Sequence, residues 1–301
     1  MKKVVRMLGL CALVALAFTS CKKKETNSTL TFKATINQPT SDSRTHINEV
    51  NLLAWDENDN ILVFDNAGEN KDFTVSTIGD EQLYVDNQGV FMIPEDKAEY
   101  MKDLDKSEMY WAYYPGATIN GGVVKLQVPT TQQFVNFGSI ATNVYPMFAT
   151  NNLDNFPFQS DAGILRIKLK KNSLYEPDVI VTKLVLKATN DSLAGEMLYP
   201  YNNPSGYTKG ETFSEITLNC VDPETGDGVQ VLAGSYDTNF NFVVLGGALQ
   251  GAFTVEIYTE DQNVPFEILS AAAQTQYNHS IEAMKITAMA TKTIPSAVPA
   301  K

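Results

Sequence analysis

Cysteine and histidine are scarce in this chain, with three of the first and two of the second among 301 residues. So few of either exclude a disulfide framework and the common Cys/His zinc shells. His46 and His279 stand far apart with no second His or Cys beside them, so each reads as an ordinary surface residue. The sequence carries no His-Glu-x-x-His, Cys-x-x-Cys, Gly-x-Ser-x-Gly or phosphate-binding glycine loop. No catalytic residue, metal or cofactor is therefore assigned. Basic charge is also in short supply: 23 Lys and Arg against 35 Asp and Glu give a net charge of -12. Such a surface repels phosphate backbones, which argues against a nucleic-acid partner. Long apolar runs are missing too. The longest, residues 7–18, falls short of a membrane span.

That one run has a clear use. Lys2, Lys3 and Arg6 precede it, and Thr19-Ser20-Cys21 close it, which is the layout of a secretory signal over residues 1–20. The stretch Phe18-Thr19-Ser20-Cys21 resembles a lipobox, and polar residues 22–28 supply the solvated tether that an acylated Cys21 needs. Loss of the leader leaves 20 basic and 35 acidic residues, a net charge of -15. Cys11 departs with the leader and Cys21 takes lipid. Cys220 then remains alone at the end of the apolar run 213–221, where it reads as a small core hydrophobe.

From residue 29 onward the dominant period is two. Leu30, Phe32, Ala34 and Ile36 alternate with polar residues in a half-buried strand. Residues 37–45 are polar and turn-rich, reading as an exposed loop that carries Arg44 and Thr45. Further strands are expected at 52–55, 61–64, 73–77, 90–93, 110–114 and 123–128; residues 95–106 alone have a helical composition. A polar break at 151–155 precedes new alternation at 165–170, 183–187 and 253–258. Strand sets on both sides of a linker predict an all-β chain with two β-sandwich domains, 29–155 and 156–301. At the far end, Ile286, Ala288, Ala290 and Ile294 alternate with Thr287, Met289, Thr291 and Thr293 in a strand bounded by Pro295.

Two acidic clusters, 56–60 and 222–228, have the Asn, Asp and Gly content of turns and lack the spacing of a calcium loop. Gly246-Gly247-Ala248-Leu249-Gln250-Gly251 is followed by a β-run, so the helix N-terminus needed to hold a dinucleotide pyrophosphate is missing. Tyr110, Trp111, Tyr113 and Tyr114 would stack on a glycan if exposed, but aromatics alternating in a strand are ordinarily core.

Several short stretches occur together in a fixed order. They are Ser43-Arg44-Thr45, Trp55 with residues 59–64, Tyr110 to Pro115, Val128 to Gln132, Tyr145 to Ala149 and Ala162 to Ile167. Leu184 to Leu186, Leu193 to Glu196 and Asn241 to Leu245 complete the series. In order and spacing the chain resembles the fimbrillin family of Bacteroidales, the lipoprotein-derived subunits of type V pili, and especially its Mfa-like members. That resemblance implies two tandem transthyretin-like sandwiches, outer-membrane delivery through lipid on Cys21, and cleavage between Arg44 and Thr45. It also implies head-to-tail exchange in which a C-terminal strand (Ile286, Ala288, Ala290, Ile294) of one subunit replaces the N-terminal strand (Leu30, Phe32, Ala34, Ile36) of the next. The expected partners are other pilin subunits, the outer membrane and a host or bacterial surface ligand. The rival reading is a permanently anchored lipoprotein, either a pilus anchor or tip or a binding protein for a glycan. Leu245-Gly246 stands where family members often carry Leu-Pro, so a different local turn is expected there.

The leader generates the first prediction. Cys21→Ala should abolish acylation and release the protein in soluble or unprocessed form. Metabolic labelling with a fatty-acid analogue that still marks the variant would refute the anchor.

Overall fold

A computed structural model describes residues 31–294 except 38–39, 42–52, 54, 56–58, 66–87, 93–104, 106, 116, 136–138, 141, 153, 176, 205, 235, 250–251, 261–265 and 270–284. Within these residues the chain is all-β, with one 3-10 turn at Thr142–Val144. It opens with β1 (Thr31–Ile36), β2 (Thr40–Ser41), β3 (Leu62–Phe64) and β4 (Gln88–Met92). Next come β5 (Tyr110–Tyr114), β6 (Thr118–Asn120), β7 (Val123–Val128), β8 (Thr131–Gln133), β9 (Met147–Asn151) and β10 (Asn155–Phe158). β11 (Ala162–Lys171), β12 (Ile180–Ala188), β13 (Ala194–Pro200), β14 (Thr208–Phe213), β15 (Glu215–Asn219) and β16 (Val229–Gln230) follow. The last are β17 (Thr238–Leu245), β18 (Phe253–Thr259), β19 (Phe266–Leu269), β20 (Lys285–Ala288) and β21 (Lys292–Ile294).

These strands form five sheets: β10-β1-β4, β3-β5-β9, β14-β13-β7-β6, β19-β18-β12-β15-β8 and β17-β11-β20-β2. β7 shows why such segments become strands. Val124, Leu126 and Val128 turn inward while Val123, Lys125 and Gln127 face out, and Lys125 bonds Glu196 of β13 at 2.5 Å across the ladder. The turn from β6 into β7 uses Gly121 and Gly122, both at positive φ, as a two-residue hairpin requires. Strand pairs reach across residue 155 through β1–β10, β7–β13 and β8–β15, and one apolar cluster runs from Ala34 to Ile294.

Two expectations need correction. Leu53 and Trp55 are buried but outside any strand, because the Trp55 indole donates to the Ala34 carbonyl at 3.2 Å and its ring packs edge-on to Tyr114 and Phe158. The polar segment after β1 is not loop throughout, since Thr40 and Ser41 pair with β20. Around the polar break, Phe148 and Gln159 exchange backbone bonds of 2.8 Å, and Asn151 Nδ2 donates to Asn155 O at 2.8 Å. The expected strand at 73–77 and most of the helical segment 95–106 lie outside the described residues.

Gln132 joins two sheets without being a strand neighbour. Its side-chain amide donates to Val243 O at 2.8 Å and accepts from Val243 N at 2.9 Å, imitating a ladder pair on β17. Both groups are buried, so losing the amide leaves a backbone donor and acceptor unsatisfied, at about 1–3 kcal/mol each. Gln132→Ala should therefore cost roughly 2–4 kcal/mol in urea unfolding. Gln132→Glu should restore little of it, because a carboxylate repels the Val243 carbonyl. A loss below about 0.5 kcal/mol in Gln132→Ala would disprove the role.

Candidate functional site

β1 is the central strand of its sheet. It runs parallel to β10, with Lys33 opposite Asn155 and Ile36 opposite Phe158, and antiparallel to β4 on its other edge. Ala34 and Ile36 are fully buried, and Asn37 N donates to Phe158 O at 2.9 Å just past the strand. Thr35 Oγ1 adds a bond to Asn155 Oδ1 at 3.2 Å. Removing β1 would uncover two sheet edges at once, and with them a wall that includes Trp55, Phe156 and Phe158. Burial of Ile36 alone contributes about 1.5–3 kcal/mol.

The C-terminal segment lies along β11 in the same parallel sense. Ile164 pairs with Ile286 and Arg166 with Ala288, then Leu169 with Lys292 and Lys171 with Ile294. Between the two strands Met289 N donates to Arg166 O at 2.9 Å, and Thr291 Oγ1 donates to Asp237 Oδ2 at 2.8 Å. Only Ile286, Met289 and Ile294 are buried in this segment. The expected alternation is thus corrected: Ala288 is half-buried and Ala290 is exposed. The break between β20 and β21 shifts the phase, and the longer Met289 side chain takes the inward position. On its other edge β11 pairs antiparallel with β17, where Arg166 Nε donates to Asn241 Oδ1 at 2.8 Å. Arg166 itself is fully buried.

Between β10 and β11 a joint at 159–162 is held by side chains. Ser160 Oγ donates to Pro146 O at 2.5 Å and accepts from Ala162 N at 2.9 Å, while Tyr145 donates to Ala162 O at 3.2 Å. Tyr199 donates to Asp161 Oδ2 at 3.1 Å. A Cβ at Gly246 would come within 2.1 Å of the Asp161 carbonyl oxygen, so the glycine there permits a close backbone approach. The short stretches that carry the family resemblance therefore have structural work here: Tyr145 to Ala149 at the joint, Val128 to Gln132 at the β17 edge, and Ala162 to Ile167 as the strand between both partners.

Of the residues singled out in the sequence, Ala34, Ile36, Ile286 and Ile294 are buried on these ladders, and Phe32 has its place in β1. Cys21, Leu30, Arg44, Thr45, His46 and His279 lie outside the described residues. The β2 contact was missed because two polar residues between turns carry no strand period. Tyr110, Tyr113 and Tyr114 are core, with hydroxyls donating to Asp105 O, Tyr201 O and Asp59 Oδ1, and the half-buried Trp111 packs edge-on to Tyr201. Residues 222–228 form the expected turn, with Asp222 Oδ1 accepting from Glu224 N and Thr225 N. Cys220 is buried, and burial pushes its thiol well up from the ordinary value. A strand does follow residues 246–251.

No protein-family model and no curated protein matches the sequence. Solved structures do. A candidate cell adhesion protein from Bacteroides uniformis superposes with a TM-score of 0.50 at 15% identity, covering 88% of this chain and 94% of that one. Another from Bacteroides fragilis gives a TM-score of 0.48 at 9% identity, covering 90% and 95%. The tip fimbrial protein Mfa3 from Porphyromonas gingivalis, truncated at its C-terminus, gives 0.33 at 10% identity, covering 90% and 97%. The structural neighbours are thus adhesion and fimbrial proteins of Bacteroidales, and the fold of the first is shared.

Asp161 makes the joint sensitive to pH. Burial raises its carboxyl above the ordinary carboxylate value, and the Tyr199 bond offsets this only in part. The folded state thus holds the proton more tightly than the unfolded chain, and the penalty on the ionised form is relieved as pH falls through the folded value. Asp161→Asn keeps an acceptor for Tyr199 and removes the charge. The variant should be more stable than the parent at pH 7, with a smaller advantage near pH 4. Urea midpoints at both values provide the check, and an advantage that does not change with pH would refute the assignment.

Proposed function

We propose that this chain is a structural subunit of a cell-surface fimbria of the fimbrillin type and not an enzyme. It is delivered to the outer membrane as a lipoprotein on Cys21 and joins other pilin subunits by strand exchange after a cut between Arg44 and Thr45. The observation that carries this reading is the position of β1, an N-terminal strand that is nonetheless the middle strand of its sheet. A cut after Arg44 severs that strand from the body, and its departure leaves unpaired edges that demand a substitute. β1 adds to β10, and β20 and β21 add to β11, in the parallel sense, so both segments already serve as added parallel strands.

Arginine usage supports the cut. Outside the leader the chain has two arginines, Arg44 and Arg166, and Arg166 is sealed inside β11. A protease specific for arginine therefore cannot use Arg166 in the folded chain. A tail entering the next subunit makes a head-to-tail contact, which extends as a fibre where its rotation does not close. In such a fibre the acidic surface serves solubility.

Arg44→Ala, and separately a truncation after Ala283, should each remove the polymer ladder from sheared, unboiled surface material while export continues. Ladders that persist in both variants would overturn strand exchange and favour the permanently anchored reading.

A further inference from the structure

The N-terminal segment touches the C-terminal strand directly. β1 ends at Ile36, and β2, the next described strand, pairs parallel with β20, Thr40 opposite Lys285 and Ser41 opposite Ile286. β20 is thereby enclosed between β11 and β2. We infer that β2 is a latch that keeps the C-terminal strand docked on its own subunit until the N-terminal segment is removed. The inference deepens the strand-exchange reading and rests on it for its biological use, although the latch itself is a property of the single chain.

Three observations carry it. First, the ladder that holds β20 to β11 is short: it has three register pairs, and one side chain of β20, Ile286, is buried. β21 adds three more pairs and Ile294, with Met289 between the two strands. A terminal segment with so few buried groups belongs to the low-stability end of a fold, where it opens locally without global unfolding. Second, β2 is itself too short to be stable alone, yet three residues connect it to β1, which is anchored on both edges and by the bond from Asn37 N to Phe158 O. So short a tether holds β2 at high effective concentration beside β20. Third, Ser41 lies three positions before Arg44, so hydrolysis of the peptide bond after Arg44 places β1 and β2 on the same fragment. One cut would open the acceptor groove and bare the outer edge of the donor strand together. Neither event can then precede the other, which keeps a subunit from offering a free tail before it is ready to receive one.

The test uses the whole mature chain as a monomer and follows backbone hydrogen exchange by mass spectrometry. Thr40→Pro/Ser41→Pro removes both amide hydrogens of β2 and leaves β1 intact. Amides of residues 285–288 should exchange at least ten-fold faster in this variant, on the order expected when local opening is eased, while residues 33–36 keep their protection. Unchanged exchange at 285–288 overturns the latch. Loss of protection at both segments would show that β2 only supports β1, which overturns it as well. A second variant pairs register partners as Thr40→Cys/Lys285→Cys. When oxidised it should keep 285–288 protected even after treatment with an arginine-specific protease, and reduction should release the segment. Release while the staple is still oxidised counts against the latch. Polymer ladders do not enter these measurements, so failure of the strand-exchange reading would leave the exchange result standing, and the reverse holds too.

Discussion

The backbone from residue 155 to residue 171 has to be paired on both edges, and the first and last described strands are drawn to it. β10 takes β1 on one edge, and β9 approaches it on the other through the Phe148–Gln159 exchange. β11 takes β17 antiparallel on one edge, then β20 and β21 in line on the other. Each buried amide or carbonyl left open on such a strand costs about 1–3 kcal/mol, so vacancies are not tolerated. The added partners are parallel, and a parallel pair cannot be closed by a hairpin. They must arrive from distant sequence. Here they come from the first and the last segments that the structure describes.

That demand explains which parts of the fold were legible in the sequence. β7 has one face to the core and one to water, and β18 alternates between buried and half-buried residues, so their alternation announces them. β1 reads equally well, since Ala34 and Ile36 face in while Lys33 and Thr35 are less covered. The middle of the ladder does not read that way. Ala162 to Ile167 in β11 and Phe240 to Leu245 in β17 are buried without interruption, because neighbours cover both faces. Arg166 lies in that run fully buried, where residue type alone argues for the surface. Tyr113 and Tyr114 are consecutive and both buried, so the aromatic strand has no solvent face at that end.

The candidate site was legible only at its edges. The apolar face of β1 and the tail from Ile286 to Ile294 both stand out in sequence, yet their partners do not. Nothing in residues 285–294 states that β11 is the neighbour, nor that Met289 and not Ala290 is the buried residue between the two strands. β2 is invisible to any periodicity, because two polar residues carry no period. The short stretches that carry the resemblance to fimbrillins fall on these contacts for a reason that sequence does not give. Gln132 and Tyr145 act through side-chain bonds to distant backbone, and such contacts leave no local pattern.

Separation along the chain also bears on when these contacts form. Thr35 and Asn155 are 120 positions apart, and β20 meets β11 over a similar span. Closing loops of that length costs conformational entropy before any pairing repays it, so both terminal ladders belong among the late contacts of folding. The hairpin β6–β7, the Phe148–Gln159 bridge and the antiparallel pair β13–β14 close far shorter loops and can form first. A body built from local pairs has its edges completed late by the first and last described strands, which places those strands at the low-stability end of the fold. Contacts that form last on a nonlocal ladder are also those that open at least cost to the remainder, provided the core does not depend on them. Here the dependence is partial. Ile36 and Ile286 belong to the apolar cluster, so an emptied position must be refilled rather than left open.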